Sequence, residues 1–185
     1  PRLYDATQGE VLVDGVNVKD YDIETLRNKV GIVMQKAVLF KGTIRENMWM
    51  GKKGATDEQI DEALEISQSK EFVDSKQGRL DYVIEQGGKN LSGGQRQRLT
   101  IARAIVRKPD VLILDDSASA LDFATDAALR KAIRGMNNSP TVFIVSQRAA
   151  SLMYADLIIV LDDGQVAGMG THDELLANCE VYKEI

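Results

Sequence analysis

The sequence predicts an α/β fold with a parallel-sheet core, a short antiparallel β ribbon near the start and a helical segment inserted between core strands. Three observations indicate this. Short, nearly continuous apolar runs alternate with helix-length segments, which is typical of parallel sheets. Alternating apolar and polar residues flank the pair Asp14-Gly15, a strong hairpin signal. A long amphipathic helical pattern begins with two glycines, Gly93 and Gly94.

Length and charge bound the possible functions. A chain of 185 residues is long enough for one domain with a buried core. Its 23 basic and 28 acidic residues give a net charge of −5, and this average field repels nucleic acid. The single cysteine, Cys179, excludes an internal disulfide, and we interpret it as a small apolar filler. Since no apolar run approaches the ~20 residues needed to cross a bilayer, we expect any membrane role to require a partner.

The first half is predicted in three pieces. The sequence "GEVLVDGVNV" (9–18) forms the ribbon, and "VGIVMQ" (30–35) forms a buried strand that ends in the amide of Gln35. Residues from about 36 to 90 read as a mostly helical insertion. Within it, Thr56 and Gln59 have the spacing of a capping box, which predicts a helix to residue 67.

The helix after this insertion has an unusual start. In "LSGGQ" (91–95), Ser92 and Gln95 form a second capping-box spacing around the two glycines. Bare amides at a helix N-terminus favour anions, and glycine there allows close approach to the main chain. An ordinary capped amphipathic helix remains the alternative.

Three strand-length apolar runs follow, and we expect a parallel sheet covered on both faces. The first two runs are separated by a predicted helix over 125–136. After the third run come a turn, a strand at 165–170 and a helix capped by Thr171 and Glu174, with His172 facing solvent. The runs are "DVLILDD" (110–116), "PTVFIVSQ" (140–147) and "ADLIIVLDD" (155–163).

Two carboxylates, Asp115 and Asp116, end the first of these runs. Ligands of parallel sheets gather at the carboxyl ends of the strands. We therefore expect a Mg²⁺-nucleotide to be held there. The other reading is that the two aspartates cap a loop.

Taken together, these motifs resemble the nucleotide-binding domain of an ABC transporter. The sequence "LSGGQ" is similar to the family's signature motif, "VLILDD" (111–116) to Walker B, and "SALD" (119–122) to the D-loop, while Gln35 stands at the Q-loop position. The resemblance implies a P-loop NTPase (RecA-like) core, with residues 1–35 and 106–185 as core and 36–105 as a helical subdomain.

The resemblance also implies site roles with ATP and Mg²⁺ as cofactors. Two such domains stack head to tail, so the signature of one closes over the nucleotide of the other. Asp115 and Gln35 would hold the metal, and Asp116, Gln147 and Gln35 occupy the catalytic positions. The implied nucleotide-binding residues are Ser92, Gly93, Gly94, Gln95 and Asp122.

Three departures from the family pattern change the expectation. No G-x-x-x-x-G-K-[ST] stretch occurs, and "EQGGKN" (85–90) is only a look-alike. We therefore expect a chain that begins just after that loop, with the N-terminal strands and P-loop absent. Asp116 stands where the family has glutamate, and Gln147 where it has histidine. Both changes predict a degenerate site and almost no activity for this chain alone, with a heterodimeric partner completing the working site.

The stretch "LFKGTIRENMWMG" (39–51) resembles exporters at the point where they meet the coupling helices of a transmembrane domain. Met48, Trp49 and Met50 would contact that helix or belong to the core. The expected location is the cytoplasmic face of the cell membrane, reached only through the transmembrane partner. Two alternatives remain: a non-catalytic nucleotide-binding partner, and an ABC ATPase of DNA maintenance, which the acidic charge and the short interval before the signature disfavour.

Overall fold

The computed structural model describes residues 1–117 and 119–184. Two residues lie outside the described part of the chain: Ala118, and Ile185, where the predicted domain ends. The chain divides into two compact units, Pro1–Phe143 and Ile144–Ile185, and the division falls within a strand.

The described helices and strands follow one another along the chain in this order. The first unit begins with β1 (Leu12–Val13), β2 (Val16–Asn17), α1 (Ile23–Lys29), β3 (Val30–Val33), β4 (Gly42–Thr43), α2 (Ile44–Trp49), α3 (Asp57–Ile66), α4 (Lys70–Asp74) and β5 (Val83–Ile84). After these come α5 (Gly93–Ile105), β6 (Val111–Asp115), α6 (Phe123–Arg134), β7 (Thr141–Val145), β8 (Ile158–Asp162), β9 (Gln165–Gly170), α7 (His172–Asn178) and α8 (Glu180–Lys183). Short 3₁₀ turns stand at Arg79–Asp81, Gln86–Gly88 and Ala149–Ser151.

The predicted antiparallel ribbon is confirmed. Strand β1 pairs with β2 across the turn, with Val13 opposite Val16. Asp14 and Gly15 both have positive φ, 51° and 75°, as a two-residue type I′ turn requires.

A three-stranded sheet has the order β3-β6-β7, and its strands β3 and β6 are parallel, as predicted. Its register places Gly31 beside Leu112 and Val33 beside Leu114, and α5 contacts this face. A side chain on Gly31 would stand 3.2 Å from the carbonyl oxygen of Ala104 in α5, so the absent Cβ lets helix and sheet meet closely. The two faces of the sheet are not covered equally, because Ile32, on the face opposite α5, is 37% exposed.

The inserted region is mostly helical, as predicted. Thr56 and Gln59 form the expected capping box at the start of α3. Sequence reasoning missed the short antiparallel pair β4–β5, in which Gly42 lies opposite Ile84. It also missed the capping box of Thr43 and Glu46 that begins α2.

The second unit corrects one expectation. Strand β8 was expected in the parallel sheet, but it pairs antiparallel with β9. The cause is local: Asp163 and Gly164 have φ of 44° and 76° and fold the chain back in two residues. Helices α7 and α8 cover the hairpin, and Cys179 is buried as an apolar filler, as predicted.

His172 does not simply face solvent as expected. Its Nδ1 lies 2.9 Å from the Tyr182 hydroxyl oxygen, and the two rings meet edge to face with centroids 5.7 Å apart. Burial raises the pKa of Tyr182 above its ordinary value. The closing helices are therefore joined through this pair.

Within the two described stretches, 1–117 and 119–184, no helix has both the length and the apolar character needed to cross a bilayer.

Candidate functional site

The carboxyl ends of β3 and β6 bring together two predicted residues that are 81 positions apart. Gln35 follows β3 by two residues and Asp116 follows β6 directly. Because the two strands are adjacent and parallel, their ends meet at one edge. There Gln35 Nε2 donates to Asp116 Oδ2 at 3.0 Å. Asp116 has a φ of 42°, a left-handed conformation that aspartate tolerates better than most residues.

Asp115 is the last residue of β6 and is half-buried. Mg²⁺ is usually bound by one or two carboxylates together with substrate phosphates, while water fills other positions. Among the described residues no cluster of three or more acidic, histidine or cysteine side chains could hold a metal. The carboxylates of Asp115 and Asp116 and the amide oxygen of Gln35 are oxygen donors of the kind that Mg²⁺ takes.

The start of α5 is an exposed turn closed by a capping box. Ser92 N donates to Gln95 Oε1 at 3.1 Å, and Gln95 N donates to Ser92 Oγ at 3.2 Å, which confirms the predicted capping box. Within the described part of the chain, the amides of Gly93 and Gly94 have no intrahelical acceptor, as the first positions of a helix dictate. Ser92 and Gly93 are exposed.

The two glycines have different environments. A Cβ on Gly93 would have only Arg96 Nη2 near it, at 3.9 Å, whereas a Cβ on Gly94 would stand 3.3 Å from the Ala120 carbonyl oxygen. Gly94 is thus explained by packing against the segment before α6. At Gly93 a Cβ would meet largely open space, so packing does not explain this glycine.

Asp122 is the N-cap of α6. Its carboxylate accepts from Thr125 N at 2.9 Å and from Thr125 Oγ1 at 2.8 Å. These hydrogen bonds hold the pKa of Asp122 below its ordinary value. The predicted nucleotide-binding residue therefore also determines where a helix begins.

Gln147 lies in the second compact unit, two residues after β7, and is exposed. A side-chain amide donates and accepts hydrogen bonds but does not take up a proton as histidine does.

Three arginines of α5, and Arg107 two residues after the helix ends, have specific contacts. Their side chains donate to backbone carbonyls of neighbouring segments, so they join α5 to the rest of its unit. The contacts are Arg96 to Leu91, Arg98 to Gln68, Arg103 to Val38, and Arg107 to Gly51 and Arg27.

The residues of the "MWM" stretch (48–50) differ in burial, so core membership and surface contact apply to different residues. Met48 is fully buried and belongs to the core, whereas Trp49 is 40% and Met50 51% exposed. The Trp49 indole N–H donates to the Ala55 carbonyl at 3.1 Å, which fixes the ring at the surface. Asn47, buried completely in the same helix, was missed because two of its three hydrogen bonds go to the backbone of Phe40, outside the helix.

The family follows from comparison with known proteins. The model described as "ABC transporter" matches residues 2–119, and the chain belongs to this family. It is 43% identical over 186 residues to an uncharacterized ABC transporter ATP-binding protein of Mycobacterium tuberculosis, covering 99% of this chain and 32% of that protein. It is 38% identical over 185 residues to a Staphylococcus aureus protein named for multidrug export as an ATP-binding/permease protein, covering 100% and 32%.

A solved structure agrees in fold. The chain matches a bacterial Atm1-family ABC exporter with ATP bound at a TM-score of 0.93 and 33% identity, covering 99% of this chain and 32% of that one. This confirms the predicted family and fold class. The chain spans about a third of the length of the relatives it matches.

Proposed function

We propose that this chain is the ATP-binding domain of an exporter and couples ATP binding and hydrolysis to transport. The observation that carries the proposal is the hydrogen bond of Gln35 to Asp116, which assembles two expected site residues at the carboxyl edge of the sheet. The name of the Staphylococcus aureus relative and the fold of the exporter structure support the transport role.

In this proposal each site residue has a defined role. Asp115 and the Gln35 amide oxygen hold Mg²⁺, which when bound neutralises phosphate charge. Asp116 orients the attacking water. The amides of Gly93 and Gly94 and the Ser92 hydroxyl hold a phosphate that a second nucleotide-binding domain presents, with Gln95 and Asp122 beside them.

The proposed partner is a different nucleotide-binding domain, so the assembly is a heterodimer. Asp116 is one methylene shorter than glutamate and Gln147 cannot act as a proton carrier. General acid–base assistance contributes roughly 10²- to 10⁴-fold to rate, so this chain's own site would turn over slowly. Its intact signature then serves the partner's site. A transmembrane partner domain would place both at the cytoplasmic face of the membrane.

The subdivision follows from the same proposal. Residues 1–35 and 106–185 would form the nucleotide-binding core, and residues 36–105 the helical subdomain that meets the coupling helices. The exposed Trp49 and Met50 supply apolar area on that subdomain.

A second candidate is a domain that binds nucleotide without hydrolysing it. It is favoured by Asp116, whose Oδ2 is already engaged by Gln35 at 3.0 Å. Mg-ATP binding without turnover in the whole protein would support it.

The signature role is tested with matched variants in the full-length protein that carries this chain. Ser92→Ala and Thr56→Ala each remove the hydroxyl of a Gln-containing capping box and should each cost about 1 kcal/mol of stability. We expect only Ser92→Ala to lower the ATPase rate of the assembly, by about tenfold or more. Equal rates for both variants would contradict a phosphate-holding turn.

The degenerate site is tested by restoring the family's residues. We expect Asp116→Glu with Gln147→His to raise turnover at this chain's own site by roughly 10²-fold. An unchanged rate with ATP bound would overturn the assignment. Equal ATPase rates for the homodimer and the best heterodimer would count against the asymmetric assembly. The 185-residue chain by itself should bind Mg-ATP weakly, which a nucleotide titration measures.

A further inference from the structure

The segment that carries Gln35 has little regular structure of its own. Residues 34–41, between β3 and β4, contain neither helix nor strand, and we refer to them as the 34–41 segment. Its conformation therefore depends on contacts from neighbouring elements. Two helices provide them through Asn47 of α2 and Arg103 of α5.

Asn47 fixes the end of the segment. Its Oδ1 accepts from Phe40 N at 3.0 Å, and its Nδ2 donates to the carbonyls of Phe40 and Thr43, each at 3.0 Å. The side chain is completely buried, so water does not compete for these bonds. Both backbone polar groups of Phe40 are thereby held.

Arg103 fixes the middle of the segment. Its Nη2 donates to the Val38 carbonyl at 2.9 Å, and its guanidinium carbon lies 5.9 Å from the centroid of the Phe40 ring. Burial lowers the pKa of Arg103 below its ordinary value. The charge is retained in spite of this desolvation because arginine stays protonated in proteins.

We propose that Arg103 is a positioning residue for Gln35, acting through the Val38 carbonyl and the Phe40 ring. Val38 is the third residue after Gln35, and three extended residues span at most about 11 Å. Fixing Val38 therefore restricts where the Gln35 amide can go and keeps it beside Asp116. The relevance of this contact to ATP rests on the proposed function, but the positioning itself does not.

Arg98 of the same helix provides a matched control. It also donates to a carbonyl, that of Gln68 at 2.5 Å, and its guanidinium lies 5.0 Å from the Phe72 ring centroid. Like Arg103, it has one buried nitrogen without an acceptor in the described part of the chain. Gln68 and Phe72 lie outside the 34–41 segment, so Arg98 shares the chemistry but not the target.

The test compares Arg103→Met, Arg103→Lys and Arg98→Met in the 185-residue chain. Two readouts report geometry independently of catalysis: the side-chain NH₂ resonances of Gln35 by NMR, and hydrogen exchange of the Phe40 amide. Urea unfolding gives the global stability of each variant. Mg-ATP binding and ATPase rate are measured separately in the full-length protein.

We expect Arg103→Met to shift the Gln35 side-chain resonances toward those of Asp116→Ala and to speed exchange at Phe40 by about tenfold, as loss of one charged hydrogen bond predicts. Arg98→Met should destabilise the chain similarly and leave both readouts unchanged. Arg103→Lys keeps a donor but loses the planar stack, so it should restore part of the effect.

Identical effects of Arg103→Met and Arg98→Met, or wild-type Gln35 resonances in Arg103→Met, would overturn the positioning role. Altered Gln35 resonances without any change in Mg-ATP binding at this chain's own site would instead contradict the proposed function of that contact. The two failures are therefore distinguishable.

Discussion

Gly94 lies against the backbone of Ala120, so closely that a Cβ atom on Gly94 would stand 3.3 Å from the Ala120 carbonyl oxygen. This contact joins the first turn of α5 to the segment that leads into α6. The neighbouring Gly93 has no such contact. The same pair of glycines therefore contains one packing residue and one open position.

Alanine at the two glycines should separate these roles. We expect Gly94→Ala to lower stability by about 1 kcal/mol or more, because the new methyl group must displace the Ala120 backbone. Gly93→Ala should be neutral or slightly stabilising, since alanine is the better helix former. Thermal unfolding of both variants measures this, and the opposite order would contradict the difference in environment.

Charge at position 35 should make stability depend on pH. In Gln35→Glu a carboxylate replaces the amide that donates to Asp116, and like charges raise the pKa of a carboxyl group in the folded state. The folded state then binds more protons than the unfolded state, so the loss of stability is full above the raised pKa and disappears as pH falls below about 4.

The size of this effect is expected to be below about 1 kcal/mol because Gln35 is exposed. Gln35→Met is the control, since it loses the same hydrogen bond without adding charge. Urea unfolding between pH 4 and 8 should show a pH-dependent deficit only for the glutamate variant. Parallel profiles for both variants would refute the electrostatic account.

The N-cap carboxylates of Asp22 and Asp122 should contribute to stability with the same direction of pH dependence. Asp22 accepts from Thr25 N and Oγ1, just as Asp122 accepts from Thr125, and these bonds lower both pKa values. A depressed folded pKa contributes stability above the unfolded pKa, and this contribution is lost as pH falls through the folded value.

Asparagine is a good N-cap without charge. We therefore expect Asp22→Asn and Asp122→Asn to be destabilised at neutral pH and to approach wild type in acid, as unfolding curves across that range would show. In the full-length protein only Asp122→Asn should also change ATPase rate. An equal change in Asp22→Asn would remove the case for a nucleotide-side role of Asp122.

The hairpin of the second unit offers a coupled pair. A Cβ on Gly168 would stand 2.8 Å from the Cys179 Sγ, so Gly168→Ala should cost about 1–3 kcal/mol by overpacking. Cys179→Ala removes that sulfur. The double variant should therefore be more stable than the sum of the single effects predicts, by about 0.5 kcal/mol or more. Simple additivity in urea unfolding would contradict the close contact.

Local chemistry made much of this fold predictable from the sequence. The capping boxes at Thr56, Ser92 and Thr171 all form, because each needs only residues three positions apart. The Asp14-Gly15 turn forms for the same reason. The predicted parallel pairing of β8 was wrong because an apolar run does not distinguish parallel from antiparallel neighbours. The informative signal was Asp163-Gly164, a second two-residue hairpin turn of the same type as Asp14-Gly15.

Tertiary contacts explain what the sequence left undetermined. The strand-end rule predicted the position of Asp116, and the family resemblance predicted the site role of Gln35, whereas the Arg103 contact to Val38 depends on how α5 packs against the 34–41 segment. Gly51 illustrates the same limit. A Cβ there would clash with the Arg103 carbonyl oxygen, yet nothing in the sequence around Gly51 indicates a contact with a residue of α5.

The 13 residues of α5 make a stiff rod about 20 Å long, with Ser92 at its head and Arg103 near its tail. The middle of this helix is buried. Tilting such a rod by about 5° would swing each end about 1 Å in opposite senses. A tilt of α5 that displaces the Ser92 turn would therefore also displace Arg103, in the opposite direction, and with it the 34–41 segment that contains Gln35.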